Sequence, residues 1–210
     1  MQETLSKIEN LYSGNLRQLG IKPASVGWKD ETSQNLRFNK LAQVIAPRHA
    51  NDGITVNDYG CGYGAMFNYL NSLPHIQIKR YTGYDISREM INAAKRYTDQ
   101  KICEFKLAPS IDTQADYSFV SGTFNVKFEN SDEKWLEYIK NCLVNINEFS
   151  KKGFSFNLLT EYVDYKEDHL YYGDPLLFFD YCKRSFSKRV NLIHDYNLFE
   201  WTLLVFKDEA

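Results

Sequence analysis

The sequence predicts an α/β fold: a doubly wound sheet of seven strands, mostly parallel, with an antiparallel strand 7 at the end. Three observations predict it. Short apolar runs alternate with helical patterns from about residue 54 to 184. A glycine-rich turn, Gly60-Cys61-Gly62-Tyr63-Gly64, follows the first of these runs directly. The last two strands are joined by Tyr196-Asn197 alone. So short a link forces an antiparallel pair, because a parallel crossover needs about a dozen residues or more.

The chain has 210 residues, 43% of them hydrophobic, which suits one domain with a real core. We expect a helical cap over 1–50 and an α/β core over 51–210, with an aromatic insert at 161–173. The net charge of −2 gives no electrostatic case for a nucleic-acid or membrane-surface protein. Cys61, Cys103, Cys142 and Cys182 are scattered, as free thiols in a reducing compartment would be. The first residues show no apolar secretory core, and no run approaches a membrane span. A cytoplasmic, soluble protein is the expectation.

In chain order, the pattern predicts a short helix near 4–13, then a loop with Gly20, Pro23, Gly27 and Trp28. Thr32 or Ser33 is expected to cap a helix to about Ile45, ended by Pro47. Asn51-Asp52-Gly53 is a turn. Strand 1 runs from Ile54 to Tyr59, and a helix from Gly64 to Leu73 follows the glycine turn. Strand 2 lies within Ile76 to Asp85, and Ser87 caps a helix to about Tyr97. Strand 3 is Lys101 to Leu107 and strand 4 is Asp116 to Ser121. Asn130 or Ser131 starts a long helix to Phe149, with Trp135, Leu136, Ile139, Leu143 and Ile146 on one face. Lys152-Gly153 is a turn, and Phe154 to Thr160 is strand 5. Asp174 caps a helix with Pro175 at its first position. Strands 6 and 7 are Lys188 to Asp195 and Leu198 to Phe206.

A glycine turn lets backbone approach a ligand, and the following helix N-terminus offers N–H groups to an anion. Asp85, at the end of strand 2, is placed to accept hydrogen bonds from a ribose diol. These features point to a nucleoside-containing cofactor. Gly60-x-Gly62-x-x-Ala65 alone also fits a dinucleotide turn. Asp58 shifts the reading: a carboxylate there repels a pyrophosphate but receives an ammonium. The terminal hairpin shifts it the same way.

Val56-x-Asp58-x-Gly60-Cys61-Gly62-x-Gly64, Tyr84-Asp85 and Asp116-Tyr117-Ser118-Phe119-Val120-Ser121-Gly122 resemble the successive motifs of the class I S-adenosylmethionine-dependent methyltransferases. The resemblance spans roughly residues 25–207. It implies the Rossmann-like methyltransferase fold and S-adenosylmethionine as cofactor. It also implies cofactor contacts from Asp58, Gly60, Cys61, Gly62, Gly64, Asp85, Ile86 and Ser121. Gly27-Trp28, Gln34-x-x-Arg37-Phe38, Ser121-Gly122-x-Phe124-Asn125 and His194-Asp195-Tyr196 are similar to a bacterial subgroup, some of whose members serve surface-polysaccharide or small-molecule pathways. Methyl transfer to an oxygen or nitrogen of a small molecule or glycan is the expectation, with a nucleic-acid methyltransferase or a non-catalytic cofactor-fold binding subunit as the alternatives. The chain departs from the family past strand 3: Leu107-Ala108-Pro109-Ser110 has no acid for the adenine amino group.

Two roles stay open for Trp28 and Arg37. They could fold over the cofactor, Arg37 pairing with its carboxylate, or Trp28 could cap the core and Arg37 form a surface ion pair. His194 and Asp195, at the carboxyl end of strand 6, are candidates for taking a proton from the acceptor, or for a structural contact in a turn. Asn125, past strand 4, is a candidate for orienting substrate. His49, His75 and His169 have weaker claims. Tyr162, Tyr165, Tyr171 and Tyr172 of the insert could form a lid, whereas its Asp164, Glu167, Asp168 and His169 lack convincing metal-ligand spacing. The run Lys183-Arg184 and Lys188-Arg189 precedes strand 6, on the edge away from the cofactor, and is expected to be a solvated face.

Overall fold

The computed structural model describes residues 1–47, 53–98 and 101–207. His49 and most of the Asn51-Asp52-Gly53 turn lie outside them. The sheet strands are β1 (Ile54–Tyr59), β2 (Ile78–Asp85), β3 (Cys103–Leu107), β4 (Ala115–Val120), β5 (Ser150–Thr160), β6 (Tyr172–Gly173), β7 (Arg189–Ile193) and β8 (Glu200–Phe206). Their order is β3-β2-β1-β4-β5-β8-β7, with β6 paired to β5. Neighbours from β3 to β5 are parallel, and β8 runs antiparallel to both β5 and β7. The predicted antiparallel pair and the doubly wound parallel sheet are therefore present, but the link between β7 and β8 is 194–199 and not Tyr196-Asn197 alone. The sheet has eight strands instead of seven, because two residues of the aromatic insert add β6.

Both sheet faces are covered, which is why the central strands read as nearly continuous apolar runs. The helices are α1 (Gln2–Leu19), α2 (Glu31–Ala42), α3 (Ala65–Asn71), α4 (Arg88–Thr98), α5 (Asp132–Glu148) and α6 (Pro175–Ser185). One core cluster includes Phe38, Leu41, Val56, Phe67, Tyr81 and Phe119. Another joins Trp135, Ile139 and Leu143 of α5 to Phe156, Phe178 and Trp201. The predicted face of α5 is buried, apart from the half-buried Leu136, and Ser131 caps its first turn. Asp174 accepts hydrogen bonds from the N–H groups of Leu176 and Leu177 at the start of α6.

Three local expectations change. The cap of α2 is Asp30, whose carboxylate receives the Ser33 N–H at 2.7 Å while the Ser33 hydroxyl answers at the third helical position. Helix α1 is 18 residues long and passes through Gly14, where an added methyl would meet nothing within 4 Å. The propensity cost of about 1 kcal/mol for a helical glycine is offset by burying Ile8, Ser13 and Leu16. The expected turn at Lys152-Gly153 is instead the start of β5. A Cβ on Gly153 would stand 2.6 Å from the Val205 carbonyl oxygen, so glycine serves close strand approach there.

Candidate functional site

The carboxyl ends of β1, β2 and β4 open into a cleft of about 980 Å³ that includes open solvent. This is the edge where ligands bind in open α/β sheets. Its floor is the turn after β1. Gly60, Gly62 and Gly64 hold φ of 75°, 52° and 84°, values that strain any side-chain-bearing residue. A Cβ on Gly60 would also lie 2.2 Å from the Thr123 hydroxyl. Most of the turn's N–H groups are already engaged. Gly60 and Cys61 donate to the Tyr84 carbonyl at 2.8 and 3.0 Å. Gly62 donates to Asp85 at 2.9 Å, and Gly64 to the Cys61 carbonyl at 2.9 Å. The turn is thus fastened to β2 and is not a cradle of free donors, as its sequence suggested.

Two carboxylates face the cleft from the strand ends. Asp58 is 2% exposed. Burial raises its pKa to about 7, against the lowering effect of a short hydrogen bond from the Tyr81 hydroxyl, and nearby Asp85 adds to the rise. Such a group is poised to ionise when a cation arrives. Asp85 uses one oxygen for the Gly62 N–H and the other for the Ser87 N–H at 2.8 Å. Burial raises its pKa while these backbone donors oppose the rise. Each oxygen keeps a lone pair for a ligand hydroxyl.

Of the residues proposed as cofactor contacts, Trp28, Asp58, Gly60, Cys61, Gly62, Asp85, Ile86 and Ser121 line the cleft. Gly64 does not: a Cβ there would lie 2.9 Å from Thr98 and 3.3 Å from Phe105, so it serves the packing of α4 and β3. Arg37 does not either. Its Nε lies 2.8 and 2.9 Å from the two oxygens of Glu200, Nη2 bonds the same carboxylate, and Nη1 bonds the Ser33 carbonyl. Trp28 stacks on the guanidinium at 3.9 Å. Arg37 forms an ion pair, but a buried one and not the surface pair the sequence suggested.

The proposed catalytic group is also placed elsewhere. His194 is exposed and stacks on Tyr162, while Asp195 is exposed and pairs with Lys40 at 3.0 Å. Asn125 is buried and accepts a hydrogen bond from the Leu159 N–H at 3.4 Å. None of the three lines the cleft. His75 and His169 are exposed, as are Lys183, Arg184, Lys188 and Arg189. The insert is not the lid: Tyr162 and Tyr165 are 61% and 75% exposed.

Helix α1 covers the cleft instead, with Leu5, Ile8, Glu9 and Tyr12 on its inner face. It is tied down on both sides. Asn130 donates to Thr4 at 2.7 Å and Lys7 pairs with Glu129 at 2.9 Å. Toward the other end, Ser13 bonds Ser87 at 2.8 Å and Arg17 bonds Glu89 at 2.8 Å. The tyrosines of the cleft come from α1, β1, the glycine turn, β2 and α5: Tyr12, Tyr59, Tyr63, Tyr84 and Tyr138. The spacing of Leu5, Ile8, Tyr12 and Leu16 was the available signal for α1. Gln34 and Phe38 of α2 also line the cleft; in the sequence they stand out only in the Gln34-x-x-Arg37-Phe38 likeness, which gives them no role in the site.

With this geometry in hand, the comparisons with known proteins converge. A methyltransferase-domain family model matches residues 57–149. The chain is 46% identical over 162 residues to the protein Rv1506c of Mycobacterium tuberculosis (strain ATCC 25618 / H37Rv), named as a candidate methyltransferase. That match spans 76% of this chain and 96% of the relative. The chain belongs to the class I S-adenosylmethionine-dependent methyltransferases. Solved methyltransferase structures share the fold. Magnesium protoporphyrin IX methyltransferase (ChlM) from Synechocystis PCC 6803 with bound SAM superposes with a TM-score of 0.66 at 12% identity, over 98% of this chain and 97% of that one. The DhpI–SAH complex gives 0.64 at 13% identity, over 97% of each chain.

The residues of this methyltransferase suit its cofactor, S-adenosylmethionine. Asp58 offers a buried carboxylate to an ammonium, and Asp85 offers acceptors to a diol. The Ser121 hydroxyl, in the cleft wall, is buried without a hydrogen-bond partner among the described residues. Such an orphan is costly unless a ligand completes it.

Proposed function

We propose that this methyltransferase acts on an oxygen or nitrogen of a small molecule or glycan. The observation that carries the reading is the charge of the cleft. Its lining holds three carboxylates, Glu9, Asp58 and Asp85, and among the described residues no Lys, Arg or His. A phosphodiester chain would find no cation there, which counts against a nucleic-acid acceptor. The cover formed by α1 also favours an acceptor small enough to pass beside a helix, and the aromatic walls suit the face of a sugar or ring.

The same reading gives roles to the lining. Asp58 receives the ammonium of the cofactor's amino-acid end, Asp85 holds the ribose, and Ile86 and Ala108 flank the base. The bound sulfonium supplies an already activated methyl group, so the protein contributes chiefly alignment and exclusion of water. Tyr12 and Tyr63, raised to about 12 by burial, keep their hydroxyl protons at neutral pH and are not the bases. Glu9 makes no ion pair among the described residues and is the carboxylate left to take a proton from the acceptor. We place this chemistry in one cytoplasmic domain; among the described residues no helix is long and apolar enough to cross a membrane.

Transfer of labelled methyl from S-adenosylmethionine should be measured across amines, hydroxylated small molecules, glycans and oligonucleotides. Labelling of one of the first three pools is the expected outcome. Labelling of oligonucleotides alone would overturn the proposal.

A further inference from the structure

A bound amino-acid end carries a carboxylate beside its ammonium, joined through one carbon. A site that seats the ammonium on Asp58 must therefore supply donors to a carboxylate within a few ångströms. The obvious donors are engaged. The Arg37 guanidinium is held by Glu200 and the Ser33 carbonyl, and the N–H groups of Gly60, Cys61, Gly62 and Gly64 all bond within the protein. No Lys, Arg or His among the described residues lines the cleft.

Beside the hydroxyls of Ser121 and Tyr12 and the Trp28 indole, the cleft lining among the described residues holds one side-chain amide donor. Gln34 lies one helical turn before Arg37 on α2, is 4% exposed, and lines the same cleft as Asp58 and Gly60. Its Oε1 accepts a hydrogen bond from the Tyr63 hydroxyl at 3.1 Å. With the amide in this orientation, no hydrogen bond from Nε2 is made among the described residues. Tyr63 is itself 3% exposed and follows Gly62 in the turn, so the glycine turn positions the amide. An amide donor held in a buried place facing a ligand cleft is suited to a carboxylate oxygen.

We infer that the Gln34 amide, oriented by the Tyr63 hydroxyl, holds the α-carboxylate of the cofactor's amino-acid end. This rests on the reading that the cleft binds S-adenosylmethionine with its ammonium on Asp58. The carboxylate is met by a neutral donor, and Arg37 stays in the core. A neutral donor also leaves the cleft without a cation beside the sulfonium.

The test compares two ligands by calorimetry on the full chain: S-adenosylhomocysteine, and its decarboxylated counterpart, which keeps the amine and lacks the carboxylate. Wild type should prefer the first. Gln34→Ala should weaken S-adenosylhomocysteine about tenfold or more, the loss of one hydrogen bond to a charged group, and leave the decarboxylated ligand within about threefold. Gln34→Glu, matched in volume, sets like charges together and should weaken only the carboxylate-bearing ligand, by at least as much. If Gln34→Ala does not fold, Gln34→Glu and Tyr63→Phe carry the test, the latter eroding the same preference by releasing Oε1. An unchanged preference in the folded variants, with wild type binding well, overturns the role of Gln34 alone. Failure of wild type to bind S-adenosylhomocysteine overturns it together with the reading of the cleft.

Discussion

Glu200→Ala is expected to lower the unfolding free energy by about 3–5 kcal/mol, the usual cost of removing one partner from a buried ion pair. The Glu200 side chain is 1% exposed and that of Arg37 is 9%. Glu200 also receives the Asn157 amide at 2.7 Å, and Asn157 in turn accepts the Gly122 N–H at 2.8 Å. The substitution thus strands a guanidinium and an amide together. Reintroducing water is difficult, because Trp28 covers the guanidinium and fills the place a Cβ on Gly122 would take, 2.3 Å away. Urea unfolding monitored by far-UV circular dichroism measures the loss as a fall in midpoint at constant slope. The double variant Arg37→Met/Glu200→Leu should recover much of it, because two apolar groups leave no buried charge. A loss below about 1 kcal/mol in the single variant would mean that the pair is solvated and does not anchor α2 to β8.

The second large effect is a pH dependence of cofactor binding. Asp58 has a pKa raised to about 7 by burial, and an ammonium binds its ionised form. Affinity for S-adenosylhomocysteine should therefore be nearly constant above pH 7. It should fall on acidification, approaching tenfold per pH unit, as protonation competes with binding. Asp58→Asn should bind more weakly and flatten this limb of the profile. A wild-type profile that stays flat down to about pH 5.5 would remove Asp58 from the ammonium's site. The sign for stability is the reverse. A carboxyl raised above its ordinary value of 3.8 stabilises the folded state below that value, and the contribution is lost as pH rises through about 7. The cofactor-free protein thus loses this contribution between pH 4 and 7, and a bound ammonium offsets the loss.

What the sequence revealed and what it concealed divide along physical lines. The turn from Asp58 to Gly64, the acid at Asp85 and the terminal hairpin are local features, set by backbone sterics over a few residues. They were legible without any tertiary knowledge. The partner of Arg37 lies 163 residues away on β8, so no spacing could show that the guanidinium was already taken. Its neighbour Gln34 was visible only as a letter of the Gln34-x-x-Arg37-Phe38 likeness, because a glutamine acquires its role only from what holds its amide. The first helix was expected to stop near residue 13, yet packing of Ile8 and Leu16 carries it through Gly14, and the cover over the cleft was therefore missed. The insert attracted attention through its tyrosines, but composition does not say which way a ring faces; Tyr165 is 75% exposed. His194 and Asp195 sit at the carboxyl end of β7, two strands beyond β5 in a sheet whose cleft lies at β1, β2 and β4. Being on the right edge is a weaker condition than being at the right point along it.

The central claim is that the cleft over β1, β2 and β4 holds S-adenosylmethionine with its ribose on Asp85. Calorimetry of S-adenosylhomocysteine against wild type and Asp85→Ala, with NAD as a control ligand, tests it most directly. The account predicts saturable one-site binding to wild type, a loss of about tenfold or more in the variant from removing a charged acceptor, and no binding of NAD. Equal affinity in wild type and variant, or binding of NAD in preference, would contradict it.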